Sequence, residues 1–331
     1  MQYLHYFIST ELPQTVTFYN SNFSKLDKII RLSRYPQSII SEVMGGIVKK
    51  TEENNLRAEI IHNSLNNSVC GVIIPEISAG VYCDMFSGTD YNEYKNRACE
   101  IFSKAKKIHD KQEEIYIKNT DFDRLCELAK VAEQMFFSVK KQGEDVLQGR
   151  EIHRFFGAIT ANGNVNYIQQ ITAELKHRYF IKGRPGTGKS TFLKKLAAAG
   201  VNAGYDVEMY HCALDPKSLD MIIVRELGLC VFDSTSPHEF FPERNGDGII
   251  DIYEMCVNPE TDEKYCDELT ELQREFSRKL AEGREYIKKI NLKTAEGVDG
   301  EALGHVGAVG PVQAVIGPVI GHGLAVVGVL A

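Results

Sequence analysis

The sequence predicts an α/β fold in which a parallel sheet is sandwiched by helices, and it predicts that this unit is duplicated in tandem. Short apolar runs alternate with segments rich in helix formers, a pattern typical of a parallel sheet covered on both faces. Long amphipathic stretches follow each sheet region and predict helical hairpin extensions. The two halves of the chain also resemble each other.

The repeat is carried by two pairs of segments. HYFISTELPQTVTFY, which begins at His5, resembles HRFFGAITANGNVNY, which begins at His153, and the segment around His62 resembles the one around His211. The period is far too long for a solenoid and predicts two domains. We expect a first domain at 1–145, a second at 150–293 and a separate tail at 294–331.

Composition narrows the class of protein. Of the 331 residues, 43% are apolar and 25% are charged, which argues against a disordered or polytopic membrane protein. The formal net charge of -7 gives no electrostatic reason to expect nucleic acid as a partner. Its 8 cysteines form no C-x-x-C pair and lie mostly in apolar runs. We expect reduced thiols, no zinc site and a cytoplasmic location, and the N-terminus shows no secretory signal.

The second half contains the clearest local pattern. A strand at 178–182 is followed by a loop at 183–188 and by a helix at 189–199 that should stop at Gly200. Further strands are expected at 206–211 and 229–233. The helical extensions are expected after each sheet unit, with Thr120–Asp121 capping one helix of the first half.

The loop fits G-x-x-x-x-G-K-[ST], a pattern that can also occur by chance, and it has the strand before and the helix after that the pattern requires. Glycines let backbone N–H groups turn toward a polyphosphate, and the following helix presents its positive end to the same anion. The predicted nucleotide-binding residues are Gly183, Arg184, Pro185, Gly186, Thr187, Gly188, Lys189, Ser190 and Thr191. This predicts a P-loop NTPase-type domain that binds ATP or another nucleoside triphosphate.

Catalysis and metal binding need further groups. Ser190 and Asp233, at the end of a neighbouring strand, are the predicted Mg2+ ligands, although a strand-end Asp can also cap a turn. Ser234 stands where many ATP-driven motors have a water-polarising Glu. Lys189 and Asp215 are the predicted catalytic residues, although Asp215–Pro216 is also a turn dipeptide. His211 and Asp220 are further catalytic candidates, and the recurrence of His211 as His62 in the first half favours a structural role for this histidine.

The first half has lost the same loop. Arg34 to Ser38 align with the end of the functional loop, Gln37 stands where Lys189 stands, and Pro36 removes an N–H donor. We therefore expect no useful nucleotide affinity in the first half.

The runs HRFFGAIT, RYFIKGRPGTGKSTFLKKL, YHCALDPKSLDM and VFDSTSPHEFFP resemble those of a bacterial tandem P-loop ATPase family, sometimes labelled predicted nucleotide kinases. The resemblance covers roughly residues 1–290 and implies ATP binding at Gly183–Thr191, without implying a reaction. Members carry an intact loop in each half, whereas the first is eroded here.

The tail departs from the same pattern, since no charged residue follows Glu301. A frame-shifted end, a flexible low-complexity tail and a weak membrane anchor over 303–331 all remain open. In each case the apolar stripe of Leu272, Phe276 and Ile287 is expected to lack a packing partner.

Three functions remain open at this stage. A slow Mg-dependent ATPase is the first, a small-molecule or nucleotide kinase is the second, and a noncatalytic ATP-binding scaffold is the third. Phosphate release, phosphate transfer to an acceptor, and binding without turnover distinguish them.

Overall fold

The structure is a computed structural model that describes residues 3–32, 37–83, 89–139, 148–235 and 239–296. Side chains at 37–38, 89–91 and 293–296 are not described. The predictions for Arg34 to Ser38 fall mostly outside these ranges, and so do those for the tail beyond 296.

The first half of the chain forms a five-stranded sheet in the order β1-β5-β6-β7-β4. A 3-10 turn at Pro75–Ile77 joins β6 to β7. The elements are β1 Tyr3–Tyr6, β2 Ser9–Thr10, β3 Val16–Thr17, α1 Tyr19–Phe23, β4 Lys28–Leu32, α2 Gln37–Glu53, β5 Ala58–His62, β6 Val69–Ile74, β7 Ala79–Cys83, α3 Thr89–Ile117 and α4 Phe122–Phe137.

The second half forms a six-stranded sheet in the order β15-β11-β14-β13-β12-β8. Without β15, and read from the β8 edge, the order is β8-β12-β13-β14-β11. These strands correspond one by one to β1, β5, β6, β7 and β4 of the first sheet. The elements are β8 Glu151–Arg154, β9 Gly157–Thr160, β10 Gly163–Asn166, α5 Ile168–Thr172, β11 His177–Lys182, α6 Lys189–Asn202, β12 Val207–His211, β13 Leu219–Val224, β14 Leu229–Asp233, β15 Asp247–Asp251, α7 Ile252–Cys256, α8 Thr261–Lys264 and α9 Cys266–Glu296.

The α/β class is confirmed, and the predicted parallel sheet is confirmed only in part, because the sheets are mixed. In the second sheet β11 is parallel to both β14 and β15, whereas β13 runs antiparallel to β12 and to β14. A 3-10 turn at Arg225–Leu227 and Gly228 join β13 to β14. Parallel neighbours need a crossover of about a dozen residues or more, so this short connection allows only antiparallel pairing.

The compact units interleave the two halves of the sequence. The described residues of one unit come from 1–98, 156–171 and the chain from 284 onward, and the other unit consists of 99–155 and 172–283. The second unit thus contains most of α3, all of α4 and the predicted phosphate loop. The predicted domain boundary between 145 and 150 was placed from the sequence repeat. It differs from the boundaries of the compact units, which lie at 98/99, 155/156, 171/172 and 283/284.

Helix α6 packs through an apolar face that includes Phe192, Leu193, Leu196 and Ala197, in one core with residues of α4 and of the second sheet. The predicted stop at Gly200 is wrong, because the helix runs on to Asn202. Gly200 is instead a packing glycine, since a Cβ there would lie 3.0 Å from Val207 and 3.2 Å from Phe137. The chain turns at Gly204, whose φ of 90° favours glycine.

The helical extensions are present. Asp121 caps α4, and its carboxylate accepts hydrogen bonds from the backbone N–H groups of Asp123 and Arg124. The expected lack of a partner for the α9 stripe is wrong, because Leu272 and Ile287 are buried and the Phe276 ring lies 5.7 Å from that of His109.

The described residues bear on two expectations, the absence of membrane-spanning helices and the reduced state of the cysteines. None of the helices in the described ranges combines the length and apolar character that crossing a membrane requires. All eight cysteines lie within those ranges, and no disulfide joins any of them.

Candidate functional site

The predicted phosphate loop connects β11 to α6 in the second unit. Gly186 and Gly188 both adopt the left-handed region, with φ of 83° and 85°, and Gly188 is the residue from which α6 begins. A side chain at either position would be strained, so these glycines are needed for the path of the backbone. Between them Thr187 is completely buried, and its hydroxyl donates to the Arg184 carbonyl at 2.9 Å.

Lys189 turns back toward this loop. Its Nζ donates to the Arg184 carbonyl oxygen at 2.7 Å and lies 3.5 Å from Oδ2 of Asp233. The residue is only 9% exposed. The ammonium group is therefore held at the loop by one carbonyl dipole and one carboxylate, which is where a polyphosphate would need a positive charge.

Asp233 ends β14, as the sequence predicted, and its Oδ1 accepts hydrogen bonds from the backbone N–H and the hydroxyl of Thr235. The register pairs Met221 with Phe232, so the next cross-strand pair is Asp220 and Asp233. Burial raises the pKa of Asp220 to about 7, and the Asp233 carboxylate adds to this shift. Two carboxylates thus meet beside Lys189, and only one of them was assigned from the sequence.

Ser190 lies on the first turn of α6. Its Oγ accepts a hydrogen bond from the backbone N–H of Leu219 at 2.9 Å, which ties the start of α6 to β13 next to Asp220. Thr191 is exposed on the same turn. The oxygen atoms of Ser190, Asp220 and Asp233 are hard donors of the kind that Mg2+ prefers.

Asp215 lies in the connection between β12 and β13, and the structure shows the turn that the Asp-Pro pair predicted. Its carboxylate accepts from the backbone N–H of Lys217 at 3.2 Å, which is turn chemistry. It also lies 3.3 Å from Nζ of Lys106 on α3.

The Arg184 side chain is held by Asp262 and by the loop itself, since its Nη1 donates to the Gly183 carbonyl at 3.2 Å. Its guanidinium donates to Oδ2 of Asp262 through Nε at 3.1 Å and through Nη2 at 2.9 Å, and it stacks over the Tyr253 ring. The hydroxyl of Tyr116 donates to the other oxygen of Asp262. A contribution of Arg184 to phosphate binding would therefore come from its backbone.

Helix α3 borders the loop, a contact that no sequence pattern indicated. A Cβ on Gly186 would lie 2.7 Å from the Cα of Glu113 and closer still to its carbonyl oxygen. One turn earlier on α3, Nδ1 of His109 lies 3.6 Å from Oε1 of Glu113. A Cβ on Gly188 would overlap the Leu125 side chain of α4. The loop is therefore in close contact with the backbone of α3 and with the Leu125 side chain of α4.

His211, considered for catalysis, has a structural partner. Its Nε2 is hydrogen-bonded to Nδ1 of His153 at 2.9 Å, and its Nδ1 to the Pro216 carbonyl at 2.7 Å. The other unit has the same arrangement, in which Nδ1 of His5 lies 2.8 Å from Nε2 of His62. Each imidazole pair joins the ends of two neighbouring parallel strands.

Taken together, a strand, a glycine loop, a helix and strand-end carboxylates surround one buried lysine, an arrangement suited to a polyphosphate and a divalent cation. No family model, curated protein or solved structure matches this chain. The functional conclusion therefore depends on the residues of this site.

Proposed function

We propose that the second unit binds a nucleoside triphosphate with Mg2+ at residues 183–191 and that the protein is a slow Mg-dependent ATPase. The observation that carries the proposal is the position of Lys189, with its Nζ 2.7 Å from the Arg184 carbonyl and 3.5 Å from Asp233. Left-handed glycines on both sides of Thr187 give the loop the backbone freedom that anion cradles use.

The donor atoms fit the implied metal. Ser190 Oγ and the carboxylates of Asp233 and Asp220 are hard oxygen ligands that approach from α6, β14 and β13, and Mg2+ would be held by some of them together with phosphate oxygens. Bound Mg2+ would neutralise charge on the phosphates. The two carboxylates repel each other in its absence, which gives this pair a reason to bind a cation.

The same proposal includes an evolutionary relation between the halves. We infer that the chain is a tandem duplication of one P-loop-type unit, in which only the second copy keeps the loop. The shared strand order, the 3-10 turns that contain Glu76 and Glu226, and the two imidazole pairs support this inference. A cytoplasmic location belongs to the proposal too, in keeping with eight thiols that form no disulfide.

The kinase alternative receives less support. A kinase needs a side chain that binds the substrate to which the phosphate is transferred. The Asp215 carboxylate already accepts a hydrogen bond from the Lys217 backbone and forms an ion pair with Lys106. We therefore propose that Asp215 acts at the mouth of the loop by positioning Lys106.

The proposal is tested by measuring equilibrium binding of a fluorescent ATP analogue and Mg-dependent phosphate release for the wild type and Lys189→Ala. Removal of the ammonium group should weaken binding by about tenfold or more, equivalent to a charge-assisted hydrogen bond of about 1.5–3 kcal/mol. Lys194→Ala is the matched control, because Lys194 is exposed on the same helix. Equal binding by all three proteins, or no binding by any of them, would rule the site out.

A further inference from the structure

The position after Asp233 holds no carboxylate that could activate water. Ser234 is completely buried there, and its Oγ donates to the Phe240 carbonyl and accepts from the Phe240 N–H, both at 2.8 Å. This serine holds the segment that follows β14. A carboxylate that takes the proton of an attacking water, in the place of the motor Glu, would therefore come from another element.

One face of α3 brings charged residues to the mouth of the loop. Lys106 lies 3.3 Å from Asp215 on the β12–β13 connection, and seven positions later the backbone of Glu113 contacts Gly186. His109 lies on the same face between them. All of these residues belong to the second unit, so the loop and this part of α3 are parts of one compact body.

Glu113 differs from the other carboxylates of this face because no cation neutralises it. Lys106 donates to Asp110 at 2.8 Å and also contacts Asp215. Within the described ranges, the ionisable partner of Glu113 is His109. Burial lowers the pKa of His109, so its imidazole is neutral at pH 7.

The surroundings of Glu113 also favour its action as a base. Burial raises the pKa of its carboxyl group, and the carboxylates of Asp110 and Asp215 raise it further, while Lys106 and Lys189 act in the opposite direction. A base is most effective when its pKa lies close to the working pH, so a raised pKa improves proton transfer.

We propose that Glu113 is the general base of this site, so that α3 supplies the catalytic carboxylate to a loop built by β11 and α6. The inference rests on the proposed ATPase function. In the step, the water oxygen forms a bond to the terminal phosphorus and the bond from that phosphorus to the bridging oxygen breaks. The proton of water passes to Glu113, and ADP leaves with the electron pair. Glu113 then returns the proton to the inorganic phosphate that is released.

The other carboxylates near the loop are less suited to this role. Asp233 accepts two hydrogen bonds from Thr235 and faces Lys189, and Asp215 is paired with Lys106. Asp220 lies opposite Asp233 and belongs to the proposed metal donor set. Glu113 combines a backbone contact with the loop, no ion pair to a lysine or arginine among the described residues, and a place outside the proposed metal donor set.

The experiment compares Glu113→Gln with Glu114→Gln, because Glu114 is the next residue on α3 and is exposed. Phosphate release from Mg-ATP, affinity for the fluorescent ATP analogue, and the identity of the bound nucleotide are measured for each protein. Glu113→Gln should slow phosphate release by about 100-fold or more with affinity changed by less than about threefold, and it should retain ATP where the wild type retains ADP. Glu114→Gln should behave as the wild type.

Glu113→Asp distinguishes a catalytic role of Glu113 from a purely structural one. It keeps the carboxylate but shortens the side chain by one methylene. It should release phosphate faster than Glu113→Gln and more slowly than the wild type. Wild-type turnover in Glu113→Gln, equal loss of affinity and turnover, or binding without turnover in the wild type each overturns the proposal while ATP binding stands. Absence of ATP binding in the wild type removes the proposed function and this inference together.

Discussion

The ammonium nitrogen of Lys189 lies 2.7 Å from the carbonyl oxygen of Arg184, within the loop that precedes the helix on which the lysine stands. The loop thus accepts a hydrogen bond from the lysine that directly follows it in the sequence. An anion that enters must take over this hydrogen bond, and it then meets a charge that is already in position. Such preorganisation lowers the cost of ordering the side chain upon binding.

The contact between Gly186 and Glu113 predicts a large effect of a small substitution. Gly186→Ala adds a methyl group at a φ of 83° and against the backbone of α3, so we expect a loss of about 1–3 kcal/mol in the free energy of unfolding and a displaced α3. Gly163→Ala is the control, because Gly163 also has a positive φ but open space around its Cα. Thermal unfolding of both variants measures the difference. Equal losses would mean that the backbone contact with α3 contributes nothing.

The facing carboxylates of Asp220 and Asp233 predict a substitution that stabilises the protein and harms its function. Asp220→Asn removes one of two like charges in a half-buried place, and we expect the melting temperature without Mg2+ to rise at pH 8. The gain on adding Mg2+ and ATP should shrink, because a donor has been lost. Thermal shift with and without Mg-ATP measures both effects. An unchanged melting temperature would show that the carboxylates do not repel each other appreciably.

The sequence predicted those parts of the site that lie within one continuous segment. The strand at β11, the glycine loop and Lys189 are neighbours along the chain, and Asp233 ends an apolar run that could be recognised as a strand. The residue types and their order along the chain were sufficient to predict this part of the site. The path of the loop depends on Gly186 and Gly188, which can be recognised in the sequence.

The remaining parts of the site depend on tertiary contacts. Glu113 precedes the loop by about seventy positions and lies on a helix whose pattern indicated only an apolar stripe. Asp220 was visible as a residue near a strand, but its position opposite Asp233 follows from the antiparallel pairing of β13, a strand that was not predicted. The short turn before Gly228 was the available signal, since it is too short for a parallel crossover.

The imidazole pair of His5 and His62 predicts acid sensitivity. Burial lowers the pKa of His62 to about 4, below the ordinary value of 6.5, and the surrounding groups are His5, the Tyr167 ring and the Asn67 carbonyl. Because the folded state disfavours the protonated form, this contribution to stability is complete above pH 6.5 and is lost as the pH falls toward 4. The loss amounts to as much as about 3 kcal/mol.

The measurement compares melting temperatures at pH 7.5 and pH 5 for the wild type, His62→Gln and His177→Gln. His62→Gln can form hydrogen bonds but does not titrate, so its melting temperature should fall less between the two values of pH. His177 is exposed and serves as the control. A wild-type dependence in His62→Gln would assign the acid sensitivity to other groups.

The ion pair between Lys106 and Asp215 predicts that the two residues act as a unit. Their side chains are 30% and 35% exposed, so the pair is screened by solvent and its coupling should be only about 0.5–1 kcal/mol. A double-mutant cycle of Lys106→Ala and Asp215→Ala measures this value through urea unfolding. In phosphate release, we expect the double variant to be no slower than the slower single variant, because Asp215 is proposed to act through Lys106. Additive losses of rate would instead indicate that Asp215 contacts the substrate by itself, as the catalytic role predicted from the sequence requires.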